Sequence, residues 1–206
     1  MSGTLTLIPT PLQSELPLEP VALQLLHEMA ADPHSLILVE ELKVGRQRWL
    51  KWGLPRETIE RSIAFNEHSH AAMEKELLPK LKAGARAVIM SDGGLPAFCD
   101  PGQQLVNLCH NHGIKVTATP FANSISLALA LSGFVHNQFY FAGFLPQKDP
   151  ERSQAIAQLW KNPHTQIIFT SSSHAQNSTI QWPAPKLSLY ALPKIISPKI
   201  YREKPS

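Results

Sequence analysis

A chain of 206 residues, 43% of them hydrophobic and 17% charged, can bury one sizeable core or two small subdomains and is too apolar to stay disordered. Its formal net charge of +3 is compatible with an RNA partner without pointing to one. The two cysteines, Cys99 and Cys109, have no metal-type spacing, no apolar run reaches membrane-span length, and no leader-like segment opens the chain, so a soluble cytoplasmic protein without metal or membrane is expected.

In chain order, Thr4–Ile8 alternates and stops at Pro9-Thr10-Pro11, which predicts a strand ending in a rigid turn. Leu23, Leu25, Leu26 and Met29 predict a helix over Val21–Ala30, and Ser35–Val39 a second strand with Glu40 and Glu41 at its tip. Val44–Trp52 mixes Arg46, Arg48 and Lys51 with Trp49 and Leu50. It predicts an amphipathic helix, and its basic side is more simply a solvated face over a packed Trp than a nucleic-acid contact. Thr58–Phe65 is read as a short strand. His68 and His70, two apart and without a third ligand, carry no metal site.

Ala71–Lys82 predicts a helix despite Pro79, with Met73, Leu77, Leu78 and Leu81 inward and Gly84 closing it. The strand Ala87–Met90 breaks into Ser91-Asp92-Gly93-Gly94, and Asp100-Pro101 is expected to start the next helix, which ends at Gly113. Ile114–Thr119 is a further strand closed by Pro120. A helix follows from Asn123-Ser124 to Leu131, read as buried, and stops at Gly133. Strand, loop and helix in this alternation imply parallel strands, which puts the Ser91–Asp100 and Pro120–Ser124 loops on one sheet edge. Beyond lie a strand in Gln138–Phe144, a helix Ser153–Trp160, a strand Thr165–Thr170, a polar tip Ser171–His174 and a last strand Leu187–Ala191. A basic tail with Lys194, Lys199, Arg202 and Lys204 ends the chain.

The Gly93-Gly94 loop has neither a Walker lysine nor the spacing of a dinucleotide fingerprint. On its own it reads equally as a tight connection or as a backbone cradle for a polar ligand. No nucleophile elbow is present, Cys99 has no neighbouring histidine, and no residue supplies an obvious general base. Chemistry carried by a reactive cofactor that the protein aligns fits that absence.

Leu7–Pro11, Ser91–Pro96, Asp100–Gly102, Leu131–Gly133 and Phe141–Pro146 stand in an order that resembles the tetrapyrrole-methylase superfamily, nearest its bacterial 16S rRNA 2′-O-ribose cytidine methyltransferase branch. The resemblance spans Leu5 to His174. It implies two α/β subdomains, 1–120 and 121–206, with S-adenosylmethionine in the cleft between them, and a homodimer. It also implies Pro9 and Pro11 as one wall of the cofactor site, Gly94, Leu95 and Phe98 as the central loop, and Asn123, Ser124, Phe144 and Leu145 as further contacts; Asp92 and Asp100 read as loop and capping residues. The runs around Gln13–Glu15, Val39–Lys43, Pro120–Ser124 and Thr170–Ala175 depart from the family pattern. An RNA ribose methyltransferase is therefore the expected activity, with catalytic residues unassigned. A cofactor-binding protein that has lost catalysis and a small-molecule methylase are the alternatives.

Overall fold

The computed structural model describes residues 2–66, 70–98, 102–121 and 123–169, with backbone alone for 70–74. The chain divides into two compact units, Met1–Phe121 and Ala122–Ser206.

The first unit is built on five strands: β1 (Thr4–Ile8), β2 (Leu36–Val39), β3 (Ile63–Ala64), β4 (Arg86–Met90) and β5 (Lys115–Ala118). They form one sheet in the order β3-β2-β4-β1-β5, every pairing parallel. A parallel sheet covered on both faces needs strands apolar on both sides. Accordingly all four residues of β2 are buried, as are Ala87–Met90. Alternation then splits these side chains between two cores. Leu36, Leu38, Ala87 and Ile89 pack with Leu77 and Leu81 of α4 (His70–Lys82) and with Leu105 and Cys109 of α5 (Gln103–Asn111). Ile37, Val39, Val88 and Met90 pack on the other face with Leu26 and Met29 of α1 (Pro20–Ala31), Trp49 of α2 (Leu42–Lys51) and Ile59 of α3 (Arg56–Glu60).

The helix ends follow local chemistry. Glu19 accepts the N–H groups of Val21 and Ala22 at the start of α1. At the end of α4, Ala85 N–H returns to Lys80 O and Gly84 N–H to Leu81 O, and Gly84 takes a φ of 104° that only glycine adopts easily.

Three expectations are corrected. Thr58–Phe65 is not one strand: Pro55 caps the short helix α3, which buries Thr58 and Ile59, and only Ile63–Ala64 pairs with β2. A proline just before the helix and an acid in its first turn outweigh a strand pattern that β-branched residues suggest by themselves. Helix α5 begins at Gln103 with Gly102 as its cap; Asp100 and Pro101 lie outside the described residues. Finally α6 (Ser124–Ser132) is one-sided, burying Ile125 and Leu129 while Leu127 and Leu131 are 40% and 54% exposed.

In the second unit β6 (Phe139–Phe144) pairs in parallel with β7 (Thr165–Phe169), and α7 (Glu151–Leu159) lies between them in sequence. Ile125 and Leu129 of α6 pack on Ile167, with Phe141 and Phe169 beside them. Ser171–His174, the strand expected at Leu187–Ala191 and the basic tail lie outside the described residues.

Candidate active site at the carboxyl edge of the parallel sheet

Because all five strands run the same way, the loops after β1, β2, β4 and β5 leave one edge, the usual ligand side of such sheets. Two of these loops are joined there by backbone. Pro9 and Pro11 have no N–H, so Thr10 holds the one donor of that run. It donates to Gly94 O at 2.9 Å, and Gly94 N–H donates back to Thr10 O at 2.9 Å, an isolated antiparallel bridge across 84 positions of chain. Side chains reinforce it: Thr10 Oγ1 donates to Ser91 O at 3.0 Å and Ser91 Oγ to Gly94 O at 3.1 Å. Gly94 sits at a φ of 105° and Ala97 at 63°, so the loop holds unusual backbone at two places. A Cβ on Gly93 would meet only ordinary contacts at 3.7 Å, and one on Gly94 only Leu12 Cδ2 at 3.6 Å. The paired glycines therefore leave space rather than avoid a clash.

Of the sequence-expected residues, Pro9, Pro11 and Gly94 come together around this bridge, with Pro9 and Gly94 buried and Pro11 half-buried. Leu95 follows, half-buried, and Phe98 is 45% exposed three residues on, its N–H donating to Leu95 O at 3.4 Å. The other four belong to the second unit. Asn123 caps α6, its Oδ1 accepting Ile125 N–H at 2.7 Å, and Ser124 is the first helical residue. Phe144 ends β6, 58% exposed, with its ring edge-on to Phe169 at 5.4 Å; Leu145 comes next and is half-buried.

A polar cluster that the sequence did not reveal closes the other side of the glycine loop. Glu40, just past β2, accepts Asp92 N–H on Oε2 at 3.0 Å, and Asp92 Oδ1 accepts Glu41 N–H at 3.4 Å. Arg48 Nη1 donates to Pro11 O at 2.9 Å. Burial and then the Glu40 carboxylate push the Asp92 pKa up to about 6, with Glu41 N–H and the Arg48 guanidinium acting in the opposite direction. The bonds with Glu40 and Glu41 tie Asp92 to the end of β2, in keeping with its reading as a loop residue. Burial lowers the Arg48 pKa, opposed by the charges of Asp92 and Glu15. Lys51 Nζ donates to Ser14 O at 2.7 Å, so two cations of the basic helix α2 hold the loop after β1, while Trp49 is fully buried and donates to Pro55 O.

At the end of β5, Thr119 donates its N–H to Leu7 O, but its buried Oγ1 has no hydrogen-bond partner among the described residues. A buried hydroxyl left unpaired costs about 1–3 kcal/mol. A polar ligand on this edge would recover it, so the orphaned oxygen and the open glycine pair both fit a bound cofactor such as S-adenosylmethionine. Among the described residues no group of three or more His, Cys, Asp or Glu could hold a metal ion, and no helix is long and apolar enough to cross a membrane.

Residues 51–188 match the family model described as Tetrapyrrole (Corrin/Porphyrin) Methylases. Three relatives carry the name Ribosomal RNA small subunit methyltransferase I. That of Xylella fastidiosa is 31% identical over 84% of this chain and 59% of its own length. That of Thermotoga maritima is 32% identical over 87% and 76%, and that of Mesorhizobium japonicum 32% over 83% and 55%. The chain thus spans between about half and three-quarters of the length of these three relatives. The family model matching two thirds of the chain, together with relatives 31–32% identical over more than four-fifths of it, makes the protein a member of the tetrapyrrole methylase family.

Proposed function

We propose that the protein is an S-adenosylmethionine-dependent methyltransferase whose acceptor is a ribose hydroxyl of small-subunit ribosomal RNA. The observation that carries the cofactor half of this reading is the Thr10–Gly94 bridge, which fixes the proline turn and the glycine loop side by side. The acceptor half draws its support from the names of the relatives.

When bound, the cofactor supplies a sulfonium-linked methyl group for transfer to a nucleophilic oxygen. The chain's share is alignment. Gly93 and Gly94, without side chains, let backbone N–H and C=O groups approach the ligand closely. Pro9 and Pro11 form a stiff wall with no N–H of their own to satisfy, and Thr119 Oγ1 offers an uncommitted hydrogen bond. Leu95 and Phe98 extend the loop as apolar contacts. Asn123, Ser124, Phe144 and Leu145 are proposed as contacts on the strength of the family resemblance. The working form is proposed to be a cytoplasmic homodimer, which sedimentation of the purified protein would check.

Isothermal calorimetry with S-adenosylmethionine and S-adenosylhomocysteine tests the cofactor half. Saturable binding of both at one site per chain is expected. Binding of neither refutes the reading.

A further inference from the structure

We infer that Arg48 is a positioning residue for the methyl donor, holding the Pro9–Pro11 turn and the Ser91–Phe98 loop at a fixed spacing from outside. The inference rests on the reading of this edge as the cofactor cradle. The backbone bridge joins the two loops at Thr10 and Gly94; Arg48 bonds the first of them at Pro11 and lies beside the second at Gly93. Its Nη1 donates to Pro11 O at 2.9 Å, and its Nη2 lies 3.7 Å from the point where a Cβ of Gly93 would stand. Its charge faces Asp92 at the root of the glycine loop. A planar guanidinium can serve both sides at once, whereas an ammonium on a flexible stem serves one. The arginine is half-buried and carried by a helix that the fully buried Trp49 pins to the core, so its reach is set by the fold.

The arrangement ties the spacing of the loops to the charge on Asp92. Asp92 faces Glu40 and Glu41 from the β2–α2 junction and Arg48 from α2, while Arg48 also faces Glu15 from the loop after β1. With Asp92 ionised, its charge draws Arg48 towards the glycine loop while Pro11 O accepts the Arg48 hydrogen bond. Protonation removes that attraction and leaves the bond to Pro11 O. Cofactor affinity should therefore fall as pH drops through about 6. Removing the Arg48 cation takes away a charge that favours ionised Asp92, so the fall should move to higher pH.

The test is calorimetry of S-adenosylhomocysteine with the full chain across this pH range, for the wild type, Arg48→Met and Arg48→Lys. Arg48→Met should weaken binding about tenfold near pH 8, the scale of a lost charged hydrogen bond, and move the fall in affinity to higher pH. Arg48→Lys should keep the wild-type pH midpoint, having kept the charge, yet recover only part of the affinity. It also carries the test alone should the methionine variant not fold. A role confined to stability would weaken binding equally at every pH, and that result overturns the inference, as does affinity within twofold of wild type in both variants. No binding by the wild type overturns the cradle reading itself and this inference with it.

Discussion

Replacing Gly94 with valine places a β-branched side chain on a backbone with a φ of 105°. A Cβ there meets only Leu12 Cδ2 at 3.6 Å, so the first carbon of the side chain is not the obstacle. Backbone strain is: a residue other than glycine in such a region costs about 1–3 kcal/mol. The loop can relieve the strain by turning its peptide and breaking the bridge to Thr10. Those two 2.9 Å hydrogen bonds are worth about 1 kcal/mol each. The two quantities nearly match, and both are small beside a global stability of about 5–15 kcal/mol. The chain should therefore stay folded and the loop should give way. Thermal unfolding followed by circular dichroism should show a midpoint lowered by several degrees, since each kcal/mol shifts a chain of this size by about 2–4 °C. Calorimetry should show S-adenosylhomocysteine binding lost or weakened more than tenfold. Wild-type affinity in this variant would remove the loop from the cofactor site, and loss of cooperative unfolding would make it a folding element instead.

Asp92→Asn should raise stability at pH 8. An acid whose folded pKa is raised from 3.8 to about 6 contributes stability fully present below the unfolded value and lost as pH rises through the folded one. The gain in unfolding midpoint should therefore shrink as pH falls from 8 towards 4, and a gain independent of pH would contradict the assignment. Gly45→Ala brings a Cβ to 2.8 Å from Val39 Cβ and Cγ1, where helix α2 crosses β2. Urea unfolding should show a loss of about 1–3 kcal/mol. Arg61→Ala removes donors that satisfy Asp32 O, Pro33 O and Ser35 Oγ behind the end of α1. A loss of about 1–3 kcal/mol is expected from the carbonyls left without a charged partner, measured the same way.

The sheet was legible because its strands are short apolar runs punctuated by Pro and Gly: Thr4–Ile8 before Pro9, Leu36–Val39 after Pro33, and Ala87–Met90 before Gly93. Where apolar residues are few and β-branched, as in Thr58–Ile63, strand and short helix share one local pattern, and packing of Ile59 into the core decides. The same limit governs the site. Pro-Thr-Pro and Gly-Gly are visible as turns, and the resemblance placed both in one family site. Their pairing through Thr10 and Gly94 is a contact across the fold, with no local signature. Arg48 reaching Pro11, and Glu40 meeting Asp92 from 52 positions away, are equally long-range. Helical spacing marked Arg48 as a surface cation, and only the proximity of α2 to the turn after β1 shows its charge engaged. The sequence pattern runs the strand on to Thr119; that its hydroxyl lacks a partner among the described residues is a property of its surroundings alone.

Methyl transfer to ribosomal RNA, the proposed function, can be measured directly. Purified protein is incubated with methyl-labelled S-adenosylmethionine and small subunits from a strain deleted for this chain, and the RNA is digested to nucleosides. Label is expected in one ribose-methylated nucleoside, with transfer lost in Gly94→Val. Label absent from RNA, or found only in small molecules, while the protein still binds the cofactor, would contradict it.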